Sequence, residues 1–284
     1  MQSYRVQPAS IVKGSIRVPG DKSISHRSIM LGGIAEGRTE VSGFLASADC
    51  LATLEAFRAM GVEVDRHDET SLTVHGRGLH GLRAPGQVLD MGNAGTAIRL
   101  SMGLLAGLYA EGETRVTEPA PTRDHTERML RGFGLRVDTD GPRVSLRGAQ
   151  VLHGTRIEVP GDISSAAFFL VAGCLAGADG FVVENVGINP TRTGVIDILR
   201  LMGADLRVHE RAAQGGEPVA DIELRRSALR GIAVPESLVP LAIDELPVLF
   251  IAAAAASGET VFSGAAELRV KESDRLAVMA DGLT

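Results

Sequence analysis

The chain repeats itself, and this periodicity constrains its fold more than any other feature. Similar segments begin at Pro19, Asp90, Pro160 and Ala242, at spacings of 71, 70 and 82 residues. Each has a polar Gly/Asp opening, a small-residue apolar stretch, a Gly-containing turn and a β-branched run. The β-branched runs are Thr39-Glu40-Val41, Thr114-Arg115-Val116, Phe181-Val182-Val183 and Thr260-Val261-Phe262, and they predict strands. A second helix is predicted over 49–60, 124–133 and 194–202. Gly61, Gly134 and Gly203 follow, where a helix end favours a residue that tolerates positive φ. Short strands then follow, such as Val62-Glu63-Val64 and Ser71-Leu72-Thr73-Val74. The unit reads β-α-β-α-β-β, which makes the chain α/β (α+β). At about 70 residues it is too long for a solenoid repeat and too short for an independent domain of usual size. The first helices are rich in Ala, Gly and Leu, so burial on all sides is expected.

The first repeat opens with Pro19-Gly20-Asp21-Lys22-Ser23-Ile24-Ser25-His26-Arg27. A helix start offers unpaired N–H groups and the positive end of a dipole. Lys22, Ser23, Ser25 and Arg27 add two cations and two hydroxyls there, which suits a small, multiply anionic ligand. The same place in the second repeat holds Gly92-Asn93-Ala94-Gly95-Thr96, where glycine would let a ligand approach the backbone. A tight turn with a polar cap explains that segment equally well.

Three further segments carry charge. Ile243-Asp244-Glu245-Leu246-Pro247 puts two carboxylates at the start of a very apolar helix. Asp244 has an N-cap as its default role there and a general base as its chemical one. Glu267-Leu268-Arg269-Val270-Lys271-Glu272-Ser273-Asp274-Arg275 is a charge cluster. Either a solvated helix face or a ligand loop would account for it. Asn189-Pro190-Thr191-Arg192 and Pro121-Thr122-Arg123-Asp124 read mainly as N-caps, with each Arg a weaker candidate for an anion contact.

Composition removes other classes. A net charge of −6 argues against a general nucleic-acid surface, and no Trp with only two Tyr leaves no platform for stacking bases. Cys50 and Cys174 are too few for a disulfide framework and lack zinc spacing. The start MQSYRVQPAS lacks an apolar signal core, and the run 249–256 is too short to span a membrane. A cytoplasmic enzyme is the expectation.

Together PGDKSISHR, GNAGTAIR, NPTRTG, IDELP and ELRVKESDR resemble the 5-enolpyruvylshikimate-3-phosphate synthase (EPSP synthase) family. The resemblance implies an enolpyruvyl transferase fold with six repeat units in two domains that close on the substrates. It also implies transfer of the enolpyruvyl group from phosphoenolpyruvate to shikimate 3-phosphate, without cofactor or metal, by a monomer. Lys22, Ser23 and Arg27 would hold shikimate 3-phosphate, Lys22 also touching phosphoenolpyruvate. Asn93 and Gly95 would lie on the phosphoenolpyruvate side. Asp244 would take the proton of the 5-hydroxyl, with Lys271 nearby. Glu272 would manage the proton at the methylene, and Arg275 would bind the phosphoenolpyruvate carboxylate or phosphate. A sister transferase acting on a UDP-amino sugar would be expected to show a reactive Cys loop and an Ala-Lys-Asn start, and GDKSISHR argues against it.

The chain also departs from the family pattern, with four recognisable units instead of six. GTAIRLSMGLLAGLYA passes directly to EGETRVTEPAPTRDHTERML, pieces of the family's second and third units. The junction falls where both units have an LLAGL-like helix. The resemblance implies loss of an Arg-Pro-containing phosphoenolpyruvate loop and a Ser-Ala-Gln-type phosphate clamp. It also places the family's last unit and a half, with a further Arg and Lys, beyond residue 284. An impaired enzyme, or a pseudoenzyme that binds anions weakly, is therefore the expectation. Residues 18–157 are expected to form a shortened domain. Residues 1–17 with 158–284 would form the other, with crossings near Val18 and Val159.

Overall fold

The computed structural model describes residues 7–86, 89, 100, 104, 112–117, 123–141, 143–178, 180–271 and 273–284. It divides into two compact units. The first comprises Met1–Val18, Ile163–Arg211 and Val219–Thr284, and the second Pro19–Asp162 and Ala212–Pro218.

In the second unit, helix α1 (Lys22–Ile34) leads to strand β2 (Arg38–Ser42), helix α2 (Ala48–Ala59), and strands β3 (Glu63–Arg66) and β4 (Leu72–His75). Strand β8 (Arg156–Glu158) completes a sheet of order β3-β4-β2-β8. Strand β2 runs antiparallel to β4 and parallel to β8. A separate antiparallel sheet of order β5-β7-β6 joins β5 (Glu113–Thr117), β6 (Val137–Asp140) and β7 (Arg143–Arg147), with helix α3 (His125–Gly132) in between. Register explains the core. Val41 faces Leu72 and Val64 faces Val74, and all four are buried with Leu54 and Phe57 of α2. Each such aliphatic stabilises the fold by about 1.5–3 kcal/mol.

The first unit has a sheet of order β1-β9-β11-β10, formed by β1 (Ser15–Arg17), β9 (Phe181–Gly187), β10 (Asp205–Gln214) and β11 (Glu217–Arg225). Helices α4 (Ile163–Ala176), α5 (Gly194–Leu201), α6 (Leu246–Ala255) and α7 (Arg275–Leu283) accompany it. Val183 faces Ile222 and Phe181 faces Leu224, and α4, α5 and α6 bury Leu170, Leu199 and Leu249 in the same core.

The repeat pattern anticipates much of this. Gly61, Gly134 and Gly203 do adopt φ of 94°, 92° and 93° after their helices. Two expectations fail. Thr260-Val261-Phe262 forms no strand, since Val261 makes only an isolated bridge to Ala233. Burial on all sides fits α1, whose residues from Ser28 to Ile34 are all buried, but not α4 or α6. Phe168 is 63% exposed and Ile251 39%. An apolar composition fits a helix for burial, and neighbouring elements decide how much of it is covered.

Candidate functional site

Two clusters hold the residues singled out by sequence. The first lies at the start of α1. Asp21 caps the helix, its Oδ1 accepting from Ile24 N at 2.9 Å, so the motif's acid satisfies one of the free donors. The two Pro-Gly segments of the unit lie side by side. Gly20 bridges Gly161, Asp21 N donates to Pro160 O at 2.9 Å, and Asp162 N donates to Pro19 O at 3.0 Å. A Cβ at Gly20 would stand 1.9 Å from the Gly43 carbonyl oxygen, so only glycine fits.

The Lys22 ammonium is exposed and paired with Asp49, in the first turn of α2. Arg27 is half-buried. It donates Nε to Thr126 Oγ1 at 2.7 Å and Nη1 to the Ser23 carbonyl at 3.0 Å. Loss of water lowers its pKa, the carboxylate of Asp21 opposing this. Ser25 is turned inward. Its Oγ donates to Asp21 O at 2.8 Å and accepts from Leu45 N at 3.0 Å, so it is a structural hydroxyl, unlike the partly exposed Ser23. His26 is fully buried, its Nδ1 2.8 Å from Thr53 Oγ1. Burial first, and then the nearby Lys22 charge, push its pKa down to about 4, so the ring is neutral at pH 7.

The second cluster lies in the first unit. Asp244 Oδ1 is 3.3 Å from Arg275 Nη1 and 3.7 Å from Lys271 Nζ, and Lys271 also reaches Glu267 at 2.7 Å. Asp244 is not a helix cap. Glu245 holds the N-cap position of α6 and makes no capping bond, while a proline at the start of α6 lowers the need for one. The charge run is not one solvated face. Residues Ala266–Val270 form a 3-10 turn and Lys271 is extended. Asp274 then caps α7 through a 3.0 Å bond from Ala277 N, and Arg275 begins that helix. Asp244, Arg275, Ser164 and Ser273 line a cavity of about 290 Å3 whose other walls include Phe168 and Val278.

Arg192 and Glu245 form a buried network that sequence reasoning missed. Arg192 Nη2 lies 2.7 Å from Ser164 Oγ and 3.3 Å from Glu245 Oε1, and Ser164 donates to Glu245 at 2.5 Å. Arg192 is thus a partner for the acid beside Asp244. The Asn189 amide oxygen serves its own turn, accepting from Thr191 N and Oγ1, and is not a helix cap. A second buried pair joins His125 Nδ1 to Glu217 Oε1 at 2.8 Å, and Asp124 accepts from Arg128 at 2.8 Å where a cap had been expected. Asn93, Gly95 and Glu272 lie outside the described residues.

Other chemistry finds little support here. Burial pushes the Cys50 thiol up to about 11 and Cys174 to about 12, so neither is primed as a nucleophile. Among the described residues, no group of three His, Cys, Asp or Glu converges as a metal site requires. No helix there is long and apolar enough to cross a membrane.

Comparison with known proteins agrees with the repeats and with the junction. The family model of EPSP synthase (3-phosphoshikimate 1-carboxyvinyltransferase) matches in two pieces, residues 6–107 and 101–284. The overlap, SMGLLAG, therefore matches the family twice. The 3-phosphoshikimate 1-carboxyvinyltransferase of Alkalilimnicola ehrlichii is 50% identical over 353 positions, covering 99% of this chain and 79% of the relative. That of Acidithiobacillus ferrooxidans is 49% identical, also over 353 positions. A 284-residue chain aligned over 353 positions skips about seventy of its relative's, close to the repeat spacing. The structure of EPSP synthase from Acinetobacter baumannii superposes with a TM-score of 0.88 at 49% identity, covering 96% of this chain and 78% of that one. The enolpyruvyl transferase NikO from Streptomyces tendae shares the fold, with a TM-score of 0.57 at 15% identity, covering 88% of this chain and 74% of that one. On this sequence and fold, the chain belongs to the EPSP synthase family, the 3-phosphoshikimate 1-carboxyvinyltransferases.

Proposed function

We propose that this chain carries parts of a site for joining phosphoenolpyruvate to shikimate 3-phosphate, in the pathway to chorismate and the aromatic amino acids, and that the skipped repeat leaves turnover negligible. The observation that carries the first half is the convergence of Lys271 and Arg275 on Asp244. In this reaction the 5-hydroxyl of the shikimate ring attacks C2 of the enol phosphate while its methylene gains a proton. Elimination of phosphate then restores the double bond. Asp244 takes the hydroxyl proton. Paired with two cations it is a weak base. An arriving phosphate or carboxylate that engages Lys271 and Arg275 releases it, so substrate binding switches the base on. Glu272 handles the methylene proton, with Asn93 and Gly95 on the phosphoenolpyruvate side. Lys22, Ser23 and Arg27 hold the shikimate 3-phosphate, with Lys22 leaving Asp49 to do so. We place the reaction in the cytoplasm, with a monomeric protein.

The doubly matched heptad supports the second half. Two substrates bring two phosphates and two carboxylates, and the motifs supply Lys22, Arg27, Lys271 and Arg275. The skipped positions would contribute the Arg-Pro loop and the Ser-Ala-Gln clamp. Each lost charge-assisted contact costs about 2–5 kcal/mol. Phosphate release at saturating concentrations of both substrates, in a preparation free of host synthase, tests this. No release above background is expected. A rate near that of a relative that retains the repeat would overturn it.

A further inference from the structure

The second unit contains an apolar cavity of about 380 Å3 behind the Lys22 helix start. Met30, Leu31 and Ile34 of α1 form one wall, Leu130 of α3 and Leu146 of β7 another. Leu100 and Leu104 come from the stretch where the two repeat pieces meet. Four residues with polar side chains, Arg27, Thr126, Arg147 and Gln150, also border the space. Arg27 uses Nε and Nη1 on Thr126 and Ser23. Among the described residues its Nη2 makes no hydrogen bond.

We propose that this cavity binds an amphiphilic monoanion, an alkyl chain of about ten carbons whose carboxylate reaches Arg27. Size supports this. An apolar cavity of about 150 Å3 admits benzene, so 380 Å3 has room for roughly fifteen heavy atoms. The mostly aliphatic lining suits an alkyl chain. Charge selects the head group. Arg27 has lost much of its water, and a carboxylate returns to it a charge-assisted partner. Arg27 is shared with the proposed shikimate 3-phosphate site, but none of the aliphatic walls is. The experiment uses no phosphorylated substrate, so it stands or fails separately from that reading.

Isothermal titration of the full chain with decanoate, below its micelle concentration, tests the proposal. Saturable one-to-one binding with a negative heat-capacity change is expected. Decanol, lacking the charge, should bind at least about tenfold more weakly, since a charge-assisted hydrogen bond is worth about 1.5–3 kcal/mol. Leu130→Trp fills the cavity and should weaken decanoate at least about tenfold. The chain has no Trp, so the indole's emission reports folding of the variant. If Leu130→Trp does not unfold cooperatively, Leu146→Phe replaces it. Three outcomes would overturn the proposal: no saturable binding up to about 1 mM, unchanged affinity in a folded filled variant, or equal affinities for decanol and decanoate.

Discussion

Helices α1 and α6 both open with acids beside an apolar run, and the two acids do different work. Asp21 feeds its carboxylate to the helix backbone, while the cations Lys22 and Arg27, proposed to meet the anion, pair with Asp49 and with Thr126. Asp244 gives its carboxylate to Lys271 and Arg275, and the backbone it precedes starts with a proline. An acid at the head of a helix is therefore a cap in one repeat and a candidate base in another. What separates them is whether the first turn still needs an acceptor, and which cations lie across from it.

The largest test of this contrast is kinetic. With a relative's repeat restored at the junction, Asp244→Asn should lower kcat about 10²–10⁴-fold and change KM little. Asp21→Asn should leave the rate nearly intact, because asparagine caps as well as aspartate. Equal losses at the two positions would break the comparison.

The next effect is on stability and belongs to the α1 side. His26 is held near pKa 4 by burial, whereas the unfolded chain titrates near 6.5. Between those values the unfolded state binds the proton first. The contribution is therefore present above pH 6.5 and lost as pH falls toward 4, by about 3 kcal/mol in all. Urea unfolding at several pH values, compared with His26→Gln, should show a flatter profile in the variant. Identical profiles would mean that another group carries the slope.

Lys22→Ala should weaken shikimate 3-phosphate binding about 10- to 100-fold by calorimetry. Equal affinities would remove Lys22 from the anion site and leave it only its pairing with Asp49. The smallest test compares the acids in the absence of ligand. Asp21→Ala should cost about 1 kcal/mol of stability. Asp244→Ala should cost less, since Asp244 does not hold the N-cap position of α6, and unfolding midpoints in the reverse order would undo the assignment of which acid caps.

Legibility in the sequence followed distance along the chain. The glycines after three helices, the start of α1 and the strands around Val41 and Val183 are short-range signals, and each has its structural counterpart. The junction was legible only through the family resemblance, since the spacings of 71 and 70 residues run evenly across it and only the family's order of units shows the skip. The Arg192–Ser164–Glu245 network was not, because its members come from three separate segments and no local pattern links them. The same holds for His125 and Glu217, 92 residues apart. Exposure of Phe168 was unreadable for a related reason, since composition cannot report which neighbours a helix finds. Asp244 fell between these cases. Its position suggested a cap, the resemblance implied a base, and the structure brings Lys271 and Arg275 beside it.

Gly20 has a consequence for how the Lys22 motif responds to change. Its neighbour is the carbonyl of Gly43, and Gly43 in turn meets Val159 O, so three backbone segments touch where a single methyl group would separate them. The motif superimposes two messages with different recipients. Pro19-Gly20 is addressed to the protein's own main chain and says how closely it can approach. Lys22 and Arg27 are, on the proposed reading, addressed to the arriving anion. A substitution at Gly20 would disturb the motif while touching no ligand, and loss of function here identifies a contact only where the fold is shown to survive.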